Sequence, residues 1–213
     1  MESLQKIIGW IPALLNGAKI TILLTLASVS AGIVFGLFLA LGKMSKNKFL
    51  KSICSAYIFF FRGTPLLMQL YFIYFGLPKI CPMLTLQSKF LAAFIAFSLN
   101  SAAYMAEYIR AAIQSIDKGQ KEACHALGFS YWQTMGLVIV PQSIRRLIPS
   151  IGNEFIMVLK DASLVSLIAL EDITKITRSI ASSSGNELVY LPAMVLYLII
   201  TAVFSTAFIS VYE

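Results

Sequence analysis

The chain has 213 residues, 58% of them apolar and 13% charged, with a formal net charge of +7. Soluble domains carry roughly a quarter charged residues, so this chain has too few charges to coat a water-facing surface and needs lipid as its outer solvent. Its basic residues lie between long apolar stretches, as topology determinants do, rather than in one nucleic-acid patch.

A transmembrane helix needs about 20 mostly apolar residues to cross roughly 30 Å of hydrocarbon. Before the first such stretch, Met1–Asn16 is too short and interrupted to span. Its Leu4, Ile7, Ile8 and Leu15 recur at helical spacing beside Trp10, which predicts a helix lying along the outer surface. Glu2, Gln5 and Lys6, with no small-residue cleavage site, argue against a cleavable signal peptide. Five spans are then predicted, over 18–41, 53–77, 90–109, 148–170 and 188–208. All are read as helices, because an open sheet would leave backbone groups unpaired in lipid. The expected fold is therefore an all-α membrane protein, a single transmembrane domain over 1–213.

The first span carries Gly32, Gly36 and Ala40 every four residues, a stripe suited to close packing, internal or between subunits. The second contains Arg62, Thr64 and Pro65, and the proline after Gly63-Thr64 should bend or unwind it. The bend either frees backbone groups to line a cavity or is a plain packing kink. The third carries Asn100 and Glu107, and the fourth Asn153, Glu154, Lys160 and Asp161. The connection after the first span holds Lys43, Lys46, Lys48 and Lys51. The connection over 110–146 holds Arg110, Lys118, Lys121, Arg145 and Arg146. Both are placed in the cytoplasm by the positive-inside rule, which puts the N-terminus outside and the C-terminus inside. The outer loops, near 78–89 and 171–187, also carry Lys79, Lys89, Lys175 and Arg178, so the bias is moderate.

Segment 110–146 is too long for a turn. Lys118–Leu127 reads as a short helix, Gly128 as its stop, and Ser130 as the cap of a second helix ending before Pro141. This two-helix loop between the third and fourth spans is shaped as a docking surface. Cys54, Cys81 and Cys124 form no CxxC pair, and the single His125 has no companion ligands, so a metal site is not expected.

The docking segment reads Glu122-Ala123-Cys124, three residues, Gly128, nine residues, then Val138-Ile139-Val140-Pro141. It resembles the EAA loop of ABC importer permeases, with Cys124, Val138 and Val140 as conservative departures. The stretches Phe61–Leu70, Ala103–Arg110 and Lys160–Ser166 resemble the span signatures of polar amino-acid permeases, the histidine/glutamine/arginine group. The resemblance implies a subunit without chemistry of its own, in the bacterial inner membrane, moving polar amino acids by alternating access. It implies as partners a second permease subunit (the same or a similar chain), cytoplasmic ATP-binding subunits and an extracytoplasmic solute-binding protein. No cofactor is expected on this chain, with ATP and Mg held by the partner ATPase. On its own terms the sequence has no G-x-x-x-x-G-K-[ST] loop, so energy must dock from outside.

By resemblance, Glu122, Ala123, Cys124, Gly128 and Pro141 form the ATPase-coupling element. Ionisable groups within spans usually face a bundle interior or a water-filled path. Arg62, ~13 Å into its span at ~1.5 Å per residue, suits a carboxylate, and Asp161 suits an ammonium. The pathway set is Arg62, Thr64, Asn100, Tyr104, Glu154, Asp161 and Ser163. The competing reading pairs Arg62 with Asp161, Glu107 or Glu154 as a structural lock. If Glu154 and Asp161 both face the pathway, their charge favours arginine, lysine or histidine. An ion-gradient carrier could use Glu107, Glu154 or Asp161, but would have no reason to keep the 122–141 loop. A membrane-embedded enzyme lacks support, since HExxH and GxSxG are both missing.

Overall fold

The computed structural model describes the backbone of residues 2–212 and the side chains of residues 7–210. Ten α-helical segments follow one another: α1 Glu2–Met44, α2 Lys48–Gly63, α3 Leu66–Tyr71, α4 Leu77–Ile80 and α5 Lys89–Gln114. Then come α6 Lys118–Ala126, α7 Tyr131–Gln133, α8 Val140–Asp161, α9 Ile173–Ser184 and α10 Tyr190–Tyr212. Turns of π-helix join α3 to α4 (Phe72–Gly76) and α7 to α8 (Thr134–Ile139), and a 3₁₀ stretch, Ala162–Ile168, follows α8. Among the described residues there is no β-strand.

Helix α1 runs for 43 residues, ~65 Å at ~1.5 Å per residue, longer than a bilayer core. The expected surface helix over Met1–Asn16 is thus not a separate element, although Met1 itself lies outside the described residues. The physical reason is cooperativity: Gly9 and Pro12 alone do not halt a helix whose next turn is anchored. Leu14 and Ala18 supply that anchor, buried against Ile173, Ala193 and Ile200.

The main core lies between α1, α3, α5 and α8, around Leu24, Leu70, Ala96, Phe97, Met105, Phe155 and Val158. The small-residue stripe of α1 packs inside the subunit. A Cβ on Gly32 would come 2.6 Å from Ser101 Oγ, and one on Gly36 would come 2.6 Å from Met105 Cβ. Small residues on both helices (Ser101, Ala102, Ala106) are therefore what lets α1 and α5 approach backbone to backbone. Opposite that seam, Leu23, Val34, Phe35, Phe38 and Leu41 are exposed, as are Leu191, Met194, Leu198 and Val203 on α10. Apolar side chains turned outward along long helices fit lipid rather than water.

Among the described residues three helices are long and apolar enough to cross a membrane: Ile7–Met44, Lys89–Gln114 and Glu187–Ser210. The second predicted span (53–77) is not one helix but a pair, Lys48–Gly63 and Leu66–Ile80, bent by 103°. The fourth (148–170) is displaced. Its helix starts at Val140 and ends at Asp161, and the apolar run after Asp161 winds as 3₁₀ up to Ala169 in the left-handed region. Arg145, Arg146, Glu154, Lys160 and Asp161 make α8 far more polar than its neighbours. It is held by burial of one face, with Phe155 against Phe204 and Phe208 at 4.4 and 5.6 Å between ring centroids.

Candidate functional site

The break after α2 builds the site. Thr64 (φ −119°, ψ 146°) and Pro65 (φ −64°, ψ 133°) are extended, so the last carbonyls of α2 lose their helical partners. Two amide side chains replace them. Gln69 Nε2 donates to Phe61 O (3.0 Å), Thr64 O (3.1 Å) and Thr64 Oγ1 (2.8 Å). Asn100 Nδ2 donates to Phe61 O and to Gln69 Oε1, both at 3.0 Å. Thr64 Oγ1 itself donates to Phe60 O at 2.8 Å. Buried backbone groups left without such partners would cost roughly 1–3 kcal/mol each, so this network is what makes an extended turn tolerable between apolar helices.

The opened turn faces α5 and α8 across a cavity of about 350 Å³. Its walls include Arg62, Thr64, Asn100, Tyr104, Glu154 and Asp161, so six of the seven pathway residues expected from sequence converge on one space. Ser163 does not line it: it stands on the 3₁₀ turn beyond Asp161, half-buried, where the helical register that would have carried it inward has ended. The Arg62 guanidinium lies over the Tyr104 ring, 5.2 Å from its centroid. Among the described residues Arg62 forms no ion pair within 4 Å. Glu154 is buried, at 2% exposure.

Glu107, one of the partners considered for Arg62, is engaged elsewhere. Its Oε1 takes Lys43 Nζ at 2.5 Å, and its Oε2 takes Arg110 Nη2 at 2.6 Å. The structural lock for Arg62 is therefore not formed in this conformation, neither with Glu107 nor with Glu154 or Asp161. Gln69 was not singled out from sequence, although it stands in the Phe61–Leu70 signature. An uncharged amide inside a predicted span was the available signal. Thr64 and Asn100 hold the turn open as well as facing the cavity.

The second candidate element is the 118–141 hairpin. Asp117 caps α6 through Gly119 N at 2.6 Å. Gly128 (φ +79°) stops it: its N–H donates to His125 O at 3.0 Å and Phe129 N to Cys124 O at 3.0 Å, the double bond of a Schellman end. Ser130 and Gln133 then form a reciprocal capping box. Cys124 is buried and fixes α6 inward, whereas Glu122, Ala123 and Gly128 are exposed. The second helix does not end before Pro141. It passes through π-turns into α8, so that α7, the π stretch and α8 are one helical body over 131–161. The wider π-turn accommodates the missing proline N–H, and Gln142 Nε2 and Ser143 Oγ add bonds to Val138 O and Ile139 O, the carbonyls just after the one Pro141 leaves unserved, at 3.0 and 2.7 Å. Pro141 is thus exposed in mid-helix rather than terminating one.

Residues 32–213 match the family described as binding-protein-dependent transport system inner membrane component. The glutamine transport system permease protein GlnP of Escherichia coli K12 is 37% identical over 196 residues, 92% of this chain and 89% of that protein. The arginine transport system permease protein ArtQ of Bacillus subtilis is 40% identical over 178 residues, 84% of this chain and 80% of that one. A crystal structure of an amino acid ABC transporter with histidines superposes with a TM-score of 0.92 at 38% identity, over 98% of this chain and 96% of the other. An inward-facing structure of the MetNI methionine ABC transporter, 19% identical, shares the fold with a TM-score of 0.78 over 96% of each chain.

Proposed function

The chain belongs to the family of binding-protein-dependent transport system inner membrane components, and from that premise we propose that it is the membrane-spanning subunit of an ATP-driven importer of polar amino acids. The observation that supports this most is the cavity beside the broken helix, with an unpaired Arg62 on one wall and Glu154 and Asp161 on another. At about 350 Å³ it falls at the small end of ligand sites, which run ~300–1,000 Å³. Arg62 offers a planar fork for an α-carboxylate, and the two acids attract an ammonium or guanidinium. Basic amino acids are therefore the preferred cargo. The ion-gradient carrier considered from sequence is set aside, because the family is one of binding-protein-dependent systems.

The five spans are α1, the bent α2–α4 pair, α5, α8 and α10, with the N-terminus outside. The exposed Glu122, Ala123 and Gly128 face a cytoplasmic ATPase subunit that binds ATP and Mg, with Cys124 anchoring α6 behind them. A second permease subunit and a solute-binding protein complete the assembly in the bacterial inner membrane. Coupling follows from the continuity of residues 131–161 as one helical body: displacing the hairpin moves Glu154, ~35 Å along the helix at ~1.5 Å per residue. The helix, continuous past Pro141 and Pro149, carries that displacement into the cavity wall, where the acids turn from one membrane face to the other.

The test is uptake of radiolabelled arginine, lysine, histidine and glutamine by proteoliposomes holding this chain with its ATPase and binding protein. Uptake that requires ATP and falls at least about tenfold in Arg62→Gln, the loss of one charge-assisted contact, is expected. Uptake driven by an ion gradient without the ATPase would overturn the proposal.

A further inference from the structure

A second polar cavity, of about 480 Å³, lies where α1 ends, α2 begins and α5 ends, roofed by the hairpin. Lys43, Lys51, Arg110 and Lys121 line it together with Tyr131 and Met135, and among the described residues no acidic one does. Lys43 and Arg110 are held from behind by Glu107, at 2.5 and 2.6 Å. One carboxylate against four cations leaves three positive charges around one space. Lys51 and Lys121 have no carboxylate or amide partner among the described residues. Four cations from four separate segments gain nothing by converging unless an anion joins them.

We propose that this cavity binds the phosphate of an anionic membrane lipid. Its position argues for lipid over a soluble anion. It sits at the ends of two helices long and apolar enough to cross a membrane, Ile7–Met44 and Lys89–Gln114. On the face of α2 turned away from Lys51, Phe49 is 75% exposed and Ile53 about half exposed, so the same helix end carries an apolar outer face and a basic inner one. On the hairpin side Tyr131 and Trp132 are exposed as an edge-to-face pair, the residue types that settle at a membrane–water boundary. Basic pockets between membrane helices on the cytoplasmic side are suited to such headgroups. The hairpin contributes Lys121 and Tyr131, so a bound lipid ties the energy-coupling element to the bilayer. The inference rests on the cytoplasmic placement of this face proposed above.

The experiment uses the full transporter, permease with ATPase and binding protein, in nanodiscs and vesicles of phosphatidylcholine with increasing phosphatidylglycerol. Native mass spectrometry reads how much phosphatidylglycerol each complex retains. Lys51→Gln/Lys121→Gln is compared with Lys46→Gln/Lys48→Gln, two cations of the same region that do not line the cavity. Each lining cation removed is expected to weaken retention about fivefold, the size of one juxtamembrane lysine. The control pair is expected to retain lipid like the parent. Equal retention in both double variants would overturn the proposal. So would binding of inorganic phosphate with no preference for the lipid, which would make the site one for a soluble anion. Loss of the lipid whenever the ATPase subunit assembles would assign the cavity to that subunit instead. ATP-dependent uptake at any lipid composition, followed in parallel, reports on the importer reading alone, so the two failures are distinguishable.

Discussion

Pro65 and Pro141 each deprive a helix of a backbone donor, yet the chain turns through 103° at the first and continues as helix through the second. The difference lies in who serves the freed carbonyls. At Pro141 the chain relaxes locally: a π-turn precedes it, in which Val140 N–H donates five residues back to Met135 O, and the side chains of Gln142 and Ser143 add bonds to the next carbonyls, Val138 O and Ile139 O. At Pro65 the preceding Gly63-Thr64 leaves the helix altogether. Asn100, 39 residues away from Phe61, then closes the account of hydrogen bonds together with Gln69. A locally repaired proline yields a rod that can transmit motion. One repaired from a neighbouring helix yields a turn with a cavity beside it.

The sharpest way to break this contrast is Gln69→Leu. It removes donors to Phe61 O, Thr64 O and Thr64 Oγ1 at once, leaving Phe61 O to Asn100 alone and Thr64 O without its side-chain donor. A loss of about 2–3 kcal/mol in stability is expected, at roughly 1–3 kcal/mol per unsatisfied buried group. It should be visible as a lower unfolding midpoint in detergent and as abolished uptake. An unchanged midpoint would mean that the turn does not depend on the amide network.

Next in size is Gly128→Val, which forces a branched side chain to φ +79° at the end of α6. The strain is about 1–2 kcal/mol and falls on the hairpin. Transport-coupled ATP hydrolysis should drop while global stability barely moves, and equal losses of both would contradict a local role.

Smaller still is the pair of proline replacements. Pro65→Ala should lower uptake severalfold, because Gln69 and Asn100 still favour the open turn while the restored N–H favours helix. Pro141→Ala should leave uptake within about twofold, since the helix already passes that point and exposed substitutions of this kind shift stability by under about 1 kcal/mol. Equal effects at the two sites would erase the distinction between them.

The smallest expected change is a gain. Ala169 sits at φ 57°, where its carbonyl accepts Lys89 Nζ at 3.1 Å. Ala169→Gly should raise stability by about 1 kcal/mol by relieving a left-handed alanine. Thermal unfolding in detergent would measure it, and a decrease would show that the methyl group matters more than the strain.

Legibility in the sequence followed the same division. The apolar runs of α1, α5 and α10 were readable because one solvent, lipid, acts uniformly on every outward position. The caps at Ser130 and the stop at Gly128 were readable because both are local hydrogen-bond chemistry. The helix of the fourth region runs over 140–161 rather than 148–170, because its polar start is nevertheless helical and the apolar run after Asp161 winds as 3₁₀. Pro141 was read as a stop because a π-turn has no reliable sequence signal.

The sequence by itself determined that the chain is helical, needs lipid, carries a capped two-helix hairpin around Gly128 and keeps several charges within or beside its apolar stretches. These depend on composition, on spacing and on bonds between near neighbours. Only the tertiary structure decided that Arg62 lies over the Tyr104 ring while Glu107 holds Lys43 and Arg110, and that Gln69 and Asn100 hold the turn open. It also decided that four cations from separate segments share one cavity. The choice of partner for a charge or a freed carbonyl is made by whichever distant segment packs within about 3 Å of it, and no spacing along the chain records that distance.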